Sequence, residues 1–164
     1  MAAKSSEDAG IKIAGVDCRE VAACACLGVR RVARMTTQLF DARLQPSGLT
    51  VGQFGILTRI HAGSLQGPSM TMKELSSAIG MDPTTLNRAL KPLEAEKLVR
   101  TMPDPNDRRA RGIQITAAGR KRLERAMPLW RAADRELRRA LGSDAVTALG
   151  GLLDLATGKL RRFA

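Results

Sequence analysis

The sequence predicts a mainly α-helical fold with one small β element, an α+β chain. Apolar residues recur at spacings of three and four over most of the 164 residues, the period of helices with one buried face. Extended alternation is confined to two short runs, 98–102 and 113–115, with a turn-rich segment between them. Helix-start signatures stand ahead of the helical runs. Thr50 with Gln53, and Thr71 with Glu74, have capping-box spacing, and Asp82-Pro83 puts a favoured N-cap before a proline at the first helical position.

Each element follows in order. Residues 1–17 mix charges with Gly10 and Gly15, keep no period, and read as a flexible arm. Residues 18–44 read as a helix, with Leu27, Val32, Met35, Leu39 and Phe40 set among Arg30, Arg31 and Arg34, until Pro46, Ser47 and Gly48 end it. The helix after Thr50 carries Phe54, Ile56, Leu57 and Ile60, and a Gly/Pro/Ser connection over 62–69 leads to a short helix with Leu75 and Ile79. Gly80-Met81 makes a tight turn into the helix expected over 82–97, where Leu86, Leu90, Leu93 and the stem of Lys97 share a face opposite Thr84, Arg88, Lys91 and Ala95. Pro92 falls inside it as a candidate bend. A hairpin follows, with Pro103-Asp104-Pro105-Asn106-Asp107-Arg108-Arg109 at its tip. Leu123, Met127, Trp130, Leu137 and Leu141 mark the next helix; Gly142-Ser143 ends it and caps a last one with Val146, Leu149, Leu152, Leu153, Ala156 and Leu160.

A helix-turn-helix followed by a β-hairpin is a winged helix-turn-helix. The chain divides into an arm (1–17), an N-terminal helix (18–48), the winged unit (49–116) and C-terminal helices (117–164). The outer helices have apolar stripes with no evident partner within the chain, so a second copy is the simplest cover, and they read as dimerisation helices.

Composition narrows the function. Lys and Arg number 27 against 16 Asp and Glu, a formal net charge of +11, which attracts polyanions. Three Phe, one Trp and no Tyr leave little for base stacking, so duplex DNA is favoured over single strands. No apolar run approaches a membrane span and the N-terminus lacks the apolar core of a signal peptide; with three cysteines and no disulfide framework, a cytoplasmic location is expected. With one His, no glycine-rich phosphate loop and no nucleophile beside an evident base, no enzymatic activity, cofactor or metal is expected; His61 and the cysteines lack zinc-ligand spacing.

The recognition helix of a helix-turn-helix enters the major groove, N-terminal residues foremost. Thr84 and Thr85 are small hydroxyls that allow close approach, Asn87 can pair with adenine, Arg88 can fork onto guanine, and Lys91 suits a phosphate. In the wing, Arg109 is placed to enter a minor groove, Arg108 and Arg111 to meet phosphates, and Asp107 to orient Arg109.

These residues resemble the MarR-type bacterial transcriptional regulators over about 20–162. The matching run is 72–119, with Asp107-Arg108-Arg109 as the family's wing motif and Ile115-Thr116-Ala117-Ala118-Gly119 as its entry into the following helix. Lys97 departs from the pattern, standing where many relatives carry Gly. The resemblance implies a homodimer whose first and last helices intertwine. Its recognition helices then meet a palindrome in double-stranded DNA, at half-sites roughly 34–36 Å apart. It also implies a repressor released by a small aromatic or phenolic effector, often phenolic or carboxylic in relatives, between the dimerisation helices and the reading head, near Phe40, Phe54 and Trp130; plain core packing is the alternative reading of those three. Some relatives instead sense oxidants through a cysteine. Cys18, Cys24 and Cys26 are candidates, Cys24 foremost, although the tyrosines that support the peroxide-sensing cysteine in relatives are absent. A non-sensing architectural protein on DNA or RNA is a further alternative.

Overall fold

The computed structural model describes residues 11–65, 67, 69–103 and 111–161. It forms two compact units, one up to Leu39 and one from Phe40 onward.

In the first unit, β1 (Lys12–Ile13) and β2 (Val16–Asp17) pair antiparallel through a turn in which Ala14 and Gly15 have φ of 51° and 83°. Secondary structure thus begins inside the segment read as an arm. α1 (Cys18–Ala22) is capped by Asp17, whose carboxylate accepts from Arg19 N at 2.8 Å. α2 (Ala25–Leu44) starts afresh, the Cys24 carbonyl accepting its first bond from Gly28 N at 3.0 Å. The single helix expected from residue 18 is therefore two. The break carries neither proline nor a polar N-cap side chain, so the apolar period runs through it without a mark.

The second unit holds the core. The chain leaves α2 through a 3-10 turn, Gln45–Ser47, closed by Gly48 at φ 72°. α3 (Val51–Gly63) opens on the expected Thr50–Gln53 capping box, and Asp41 on α2 accepts from Val51 N at 2.6 Å. α4 (Met72–Ile79) opens on the Thr71–Glu74 box, and α5 (Pro83–Ala95) on Asp82. Beyond lie β4 (Val99–Pro103), β5 (Arg111–Ile115), α6 (Ala117–Leu141) and α7 (Ser143–Leu160). A two-residue strand, β3 (Met70–Thr71), pairs with β5, so the sheet order is β3-β5-β4 and the expected hairpin has a third strand. Two residues are too few to show alternation.

Leu44, Leu57, Leu75, Leu86, Leu93, Leu98 and Ile113 are all fully buried in one cluster, so α3, α4, α5 and the sheet share a core. Pro92 lies inside α5 and Pro128 inside α6.

The exit from α5 corrects one expectation. Lys97 is not on the helical face. The helix ends at Ala95 with Glu96 as C-cap, and Lys97 is exposed at φ 56°. Leu98 N bonds Leu93 O at 2.8 Å and Lys97 N bonds Glu94 O at 2.9 Å, the two bonds of a Schellman ending. Glycine is the usual occupant of its left-handed position, which gives the departure at Lys97 a physical meaning.

The Ile-Thr-x-x-Gly run has one too. Thr116 N donates to Leu98 O at 3.0 Å, Thr116 Oγ1 donates to Lys97 O at 2.7 Å, and the same oxygen accepts from Gly119 N at 3.0 Å to cap α6. A Cβ on Gly119 would fall 2.1 Å from Leu98 O, so only glycine lets α6 approach this closely.

Candidate nucleic-acid interface

The candidate reading face is built from its cap upward. Asp82 Oδ1 accepts from Thr84 N and Thr85 N, each at 2.9 Å, and Oδ2 accepts from the Thr85 hydroxyl at 2.5 Å. These bonds, the Thr85 hydroxyl first, hold the Asp82 carboxyl below its ordinary value of 3.8. The turn before it is fixed by Gly80 at φ 74° and by the Ser76 hydroxyl donating to Met81 O. Leu86, Leu90 and Leu93 then anchor α5 in the core.

With that face buried, Thr84, Thr85, Asn87, Arg88 and Lys91 are all exposed. The structure gathers the five on one short helix, but they are not equally free. The Thr85 proton is committed to the cap, leaving its oxygen as an acceptor. Asn87, Arg88 and Lys91 make no hydrogen bond or ion pair among the described residues, so their donors are available to a ligand.

Pairing of Pro103 with Arg111 marks the last described pair of the β4–β5 hairpin, and Arg111 is exposed. Asp107, Arg108 and Arg109 lie outside the described residues. Sequence reasoning passed over Arg100 on β4, which donates through Nε and Nη2 to Gln114 Oε1 at 3.1 and 2.9 Å, and Lys73 in the first turn of α4.

Of the ring residues expected near an effector, Phe54 and Trp130 stack with centroids 6.2 Å apart and planes 14° from parallel, while Phe40 is half-buried. A cavity of about 400 Å³ lies elsewhere, between His61 of α3 and the first half of α6. Cys18, Cys24 and Cys26 are exposed free thiols. No helix among the described residues is long and apolar enough to cross a membrane.

A helix-turn-helix set on a leucine core, followed by a β-hairpin that belongs to a three-stranded sheet, defines a winged helix-turn-helix protein. The MarR family profile matches residues 49–110. The chain is 38% identical to the M. tuberculosis transcriptional regulator MosR, solved in complex with DNA, over 84% of this chain and 98% of that one, with a TM-score of 0.71. It is 27% identical to a cysteine-to-serine mutant of MarR from E. coli complexed with operator DNA, over 80% of this chain and 94% of that one, with a TM-score of 0.71. A Bacillus subtilis (strain 168) relative, the uncharacterized HTH-type transcriptional regulator YybA, is 28% identical over 90 residues, 55% of this chain and 57% of its own length. The chain belongs to the MarR family.

Proposed function

We propose that this protein is a transcriptional regulator that binds double-stranded DNA sequence-specifically as a homodimer, represses from a palindromic operator, and is released by a small molecule. One observation carries the DNA reading: α5 buries its leucines and turns Asn87, Arg88 and Lys91 outward with their donors unspent. MosR and MarR, both similar to this chain, have been solved on DNA, which supports the same use of α5 here. Asn87 and Arg88 read base edges, Lys91 and Thr84 hold phosphates, and the wing, with Arg111 at its stem and Arg108 and Arg109 at its tip, meets the neighbouring groove. Asp107 orients Arg109. The homodimer reading rests on the uncovered leucines of α7, and the effector reading on the aromatic cluster of Phe54 and Trp130, with Phe40 as its third member.

Selection of bound duplexes from a random pool tests this directly. Enrichment of a palindrome bound by one dimer is expected, and Arg88→Ala then weakens operator binding by about 1–3 kcal/mol and relaxes the preference at one base pair. Wild-type affinity and ranking in that variant would remove α5 as the reader. Salt-sensitive binding with no enriched sequence would point to the architectural reading instead.

A second reading has its own observation. Cys24 stands exposed at the break before α2, with exposed Arg30 and Arg31 following, so oxidant control through this thiol competes with small-molecule release. Peroxide that frees DNA from the wild type but not from Cys24→Ser selects it; identical responses discard it.

A further inference from the structure

We propose that Thr85 reads an amino-bearing base, adenine or cytosine, because its hydroxyl proton is committed to Asp82 and only a lone pair is left for DNA. The inference rests on the DNA reading above and names what one position of the operator must offer.

Two adjacent threonines open α5, both exposed, and they differ in hydrogen-bond chemistry. A hydroxyl carries one donor and two acceptor lone pairs. Thr84 gives Asp82 only its backbone N–H, so its hydroxyl makes no bond among the described residues and keeps its donor. Thr85 gives Asp82 its backbone N–H, to Oδ1 at 2.9 Å, and also its hydroxyl proton, to Oδ2 at 2.5 Å. Charge fixes the direction of that last bond. The Asp82 carboxyl is held below its ordinary value of 3.8, so at neutral pH it is an anion with no proton to give.

What Thr85 offers DNA is therefore an oxygen lone pair beside a carboxylate. Most of a duplex cannot meet it. Phosphate oxygens are anionic acceptors, and guanine O6 and N7, adenine N7 and thymine O4 are acceptors as well. Only adenine N6 and cytosine N4 carry donors in the major groove. The N-terminal residues of a recognition helix are the ones that meet base edges, and Thr85 is the third residue of α5. The adjoining carboxylate sharpens the choice, since it attracts an amine and repels a phosphate. Thr84 can hold the backbone, whereas Thr85 can only read. Asp82 is a positioning residue that acts on the base through the proton it engages.

Asp82→Asn inverts this chemistry. The amide oxygen still accepts from the two backbone N–H groups, while the amide nitrogen donates to Thr85 Oγ1 and turns the hydroxyl proton toward DNA.

The test uses the full chain and the duplex recovered by selection, with every single base-pair substitution ranked by competition. The wild type is expected to show one position in each half-site where adenine or cytosine on one strand binds about tenfold better than guanine or thymine. Thr85→Val keeps the side-chain shape and the backbone cap, and is expected to flatten that position alone. Asp82→Asn is expected to turn the preference toward guanine or thymine. Removing the amine, with purine for adenine or pyrimidin-2-one for cytosine, tells which of the two is read. That removal should weaken wild-type binding about tenfold and leave Thr85→Val unaffected. Thermal melts of both variants are expected to match the wild type. An unchanged ranking in Thr85→Val, an amine preference that survives in Asp82→Asn, or no loss in the wild type when the amine is removed would each overturn the inference and leave the regulator standing. No enriched duplex at all would overturn the regulator reading itself.

Discussion

Helices α5 and α7 are both leucine-rich at helical spacing, yet they meet opposite fates. α5 buries Leu86, Leu90 and Leu93 to 2% exposure or less, in the core cluster shared with α3, α4 and the sheet. α7 is longer, 18 residues against 13, and buries none; Leu152, Leu155 and Leu160 remain 58–64% exposed. Leu141, at the end of α6, is exposed beside it in sequence. The difference lies in the supply of covering layers. α5 packs against α4 and β4 inside the common core, whereas α7 packs mainly against α6. An apolar stripe therefore states only that a helix is covered, and an exposed one of this size points to cover from outside the chain.

This contrast can be broken from either side. Leu90→Ala opens a hole beneath α5 and is expected to cost about 2–5 kcal/mol in denaturant unfolding. Leu152→Asp leaves the fold intact and acts on assembly, with the dimer dissociation constant expected to rise about a hundredfold, near 2.8 kcal/mol, by sedimentation. A dimer unchanged in that variant would exclude α7 from the interface. Lys97→Gly relieves a side chain held in the left-handed region and is expected to stabilise the α5 exit by about 0.5–1 kcal/mol, since glycine's greater chain entropy offsets part of the relief. The smallest effect concerns acid. Asp82 has a depressed carboxyl, so its cap contributes fully above the ordinary value of 3.8 and is lost as pH falls through the lower folded value. In Asp82→Asn, the stability of α5 should lose that portion of its pH dependence below about 4, as read by circular dichroism.

Legibility in the sequence followed how local each signal was. Thr50–Gln53, Thr71–Glu74 and Asp82-Pro83 act within one turn, and all three start helices where their spacing says. The α5 face was readable because Leu86, Leu90 and Leu93 fix which side is buried, and the exposure of Asn87, Arg88 and Lys91 follows by rotation. The rest depended on distant partners. β3 exists because Met70 pairs with Ile113, 43 positions on, and its two residues carry no pattern of their own. Lys97 looked helical by its position four after Leu93, but Leu98 turns back to Leu93 O and takes Lys97 off the face. The commitment of the Thr85 hydroxyl to Asp82 and the cavity at His61 needed side-chain geometry that spacing does not hold.

The carbonyl of Leu98 acts as a rivet. It accepts from Thr116, whose hydroxyl also fastens Lys97, and Gly119 leaves no slack above it. Both ends of the wing hairpin are pinned at this one point, which ties the start of α6 to the end of α5. In a dimer of the kind proposed above, a shift in the packing of α6 would be passed to the wing and the exit of α5 through this one carbonyl.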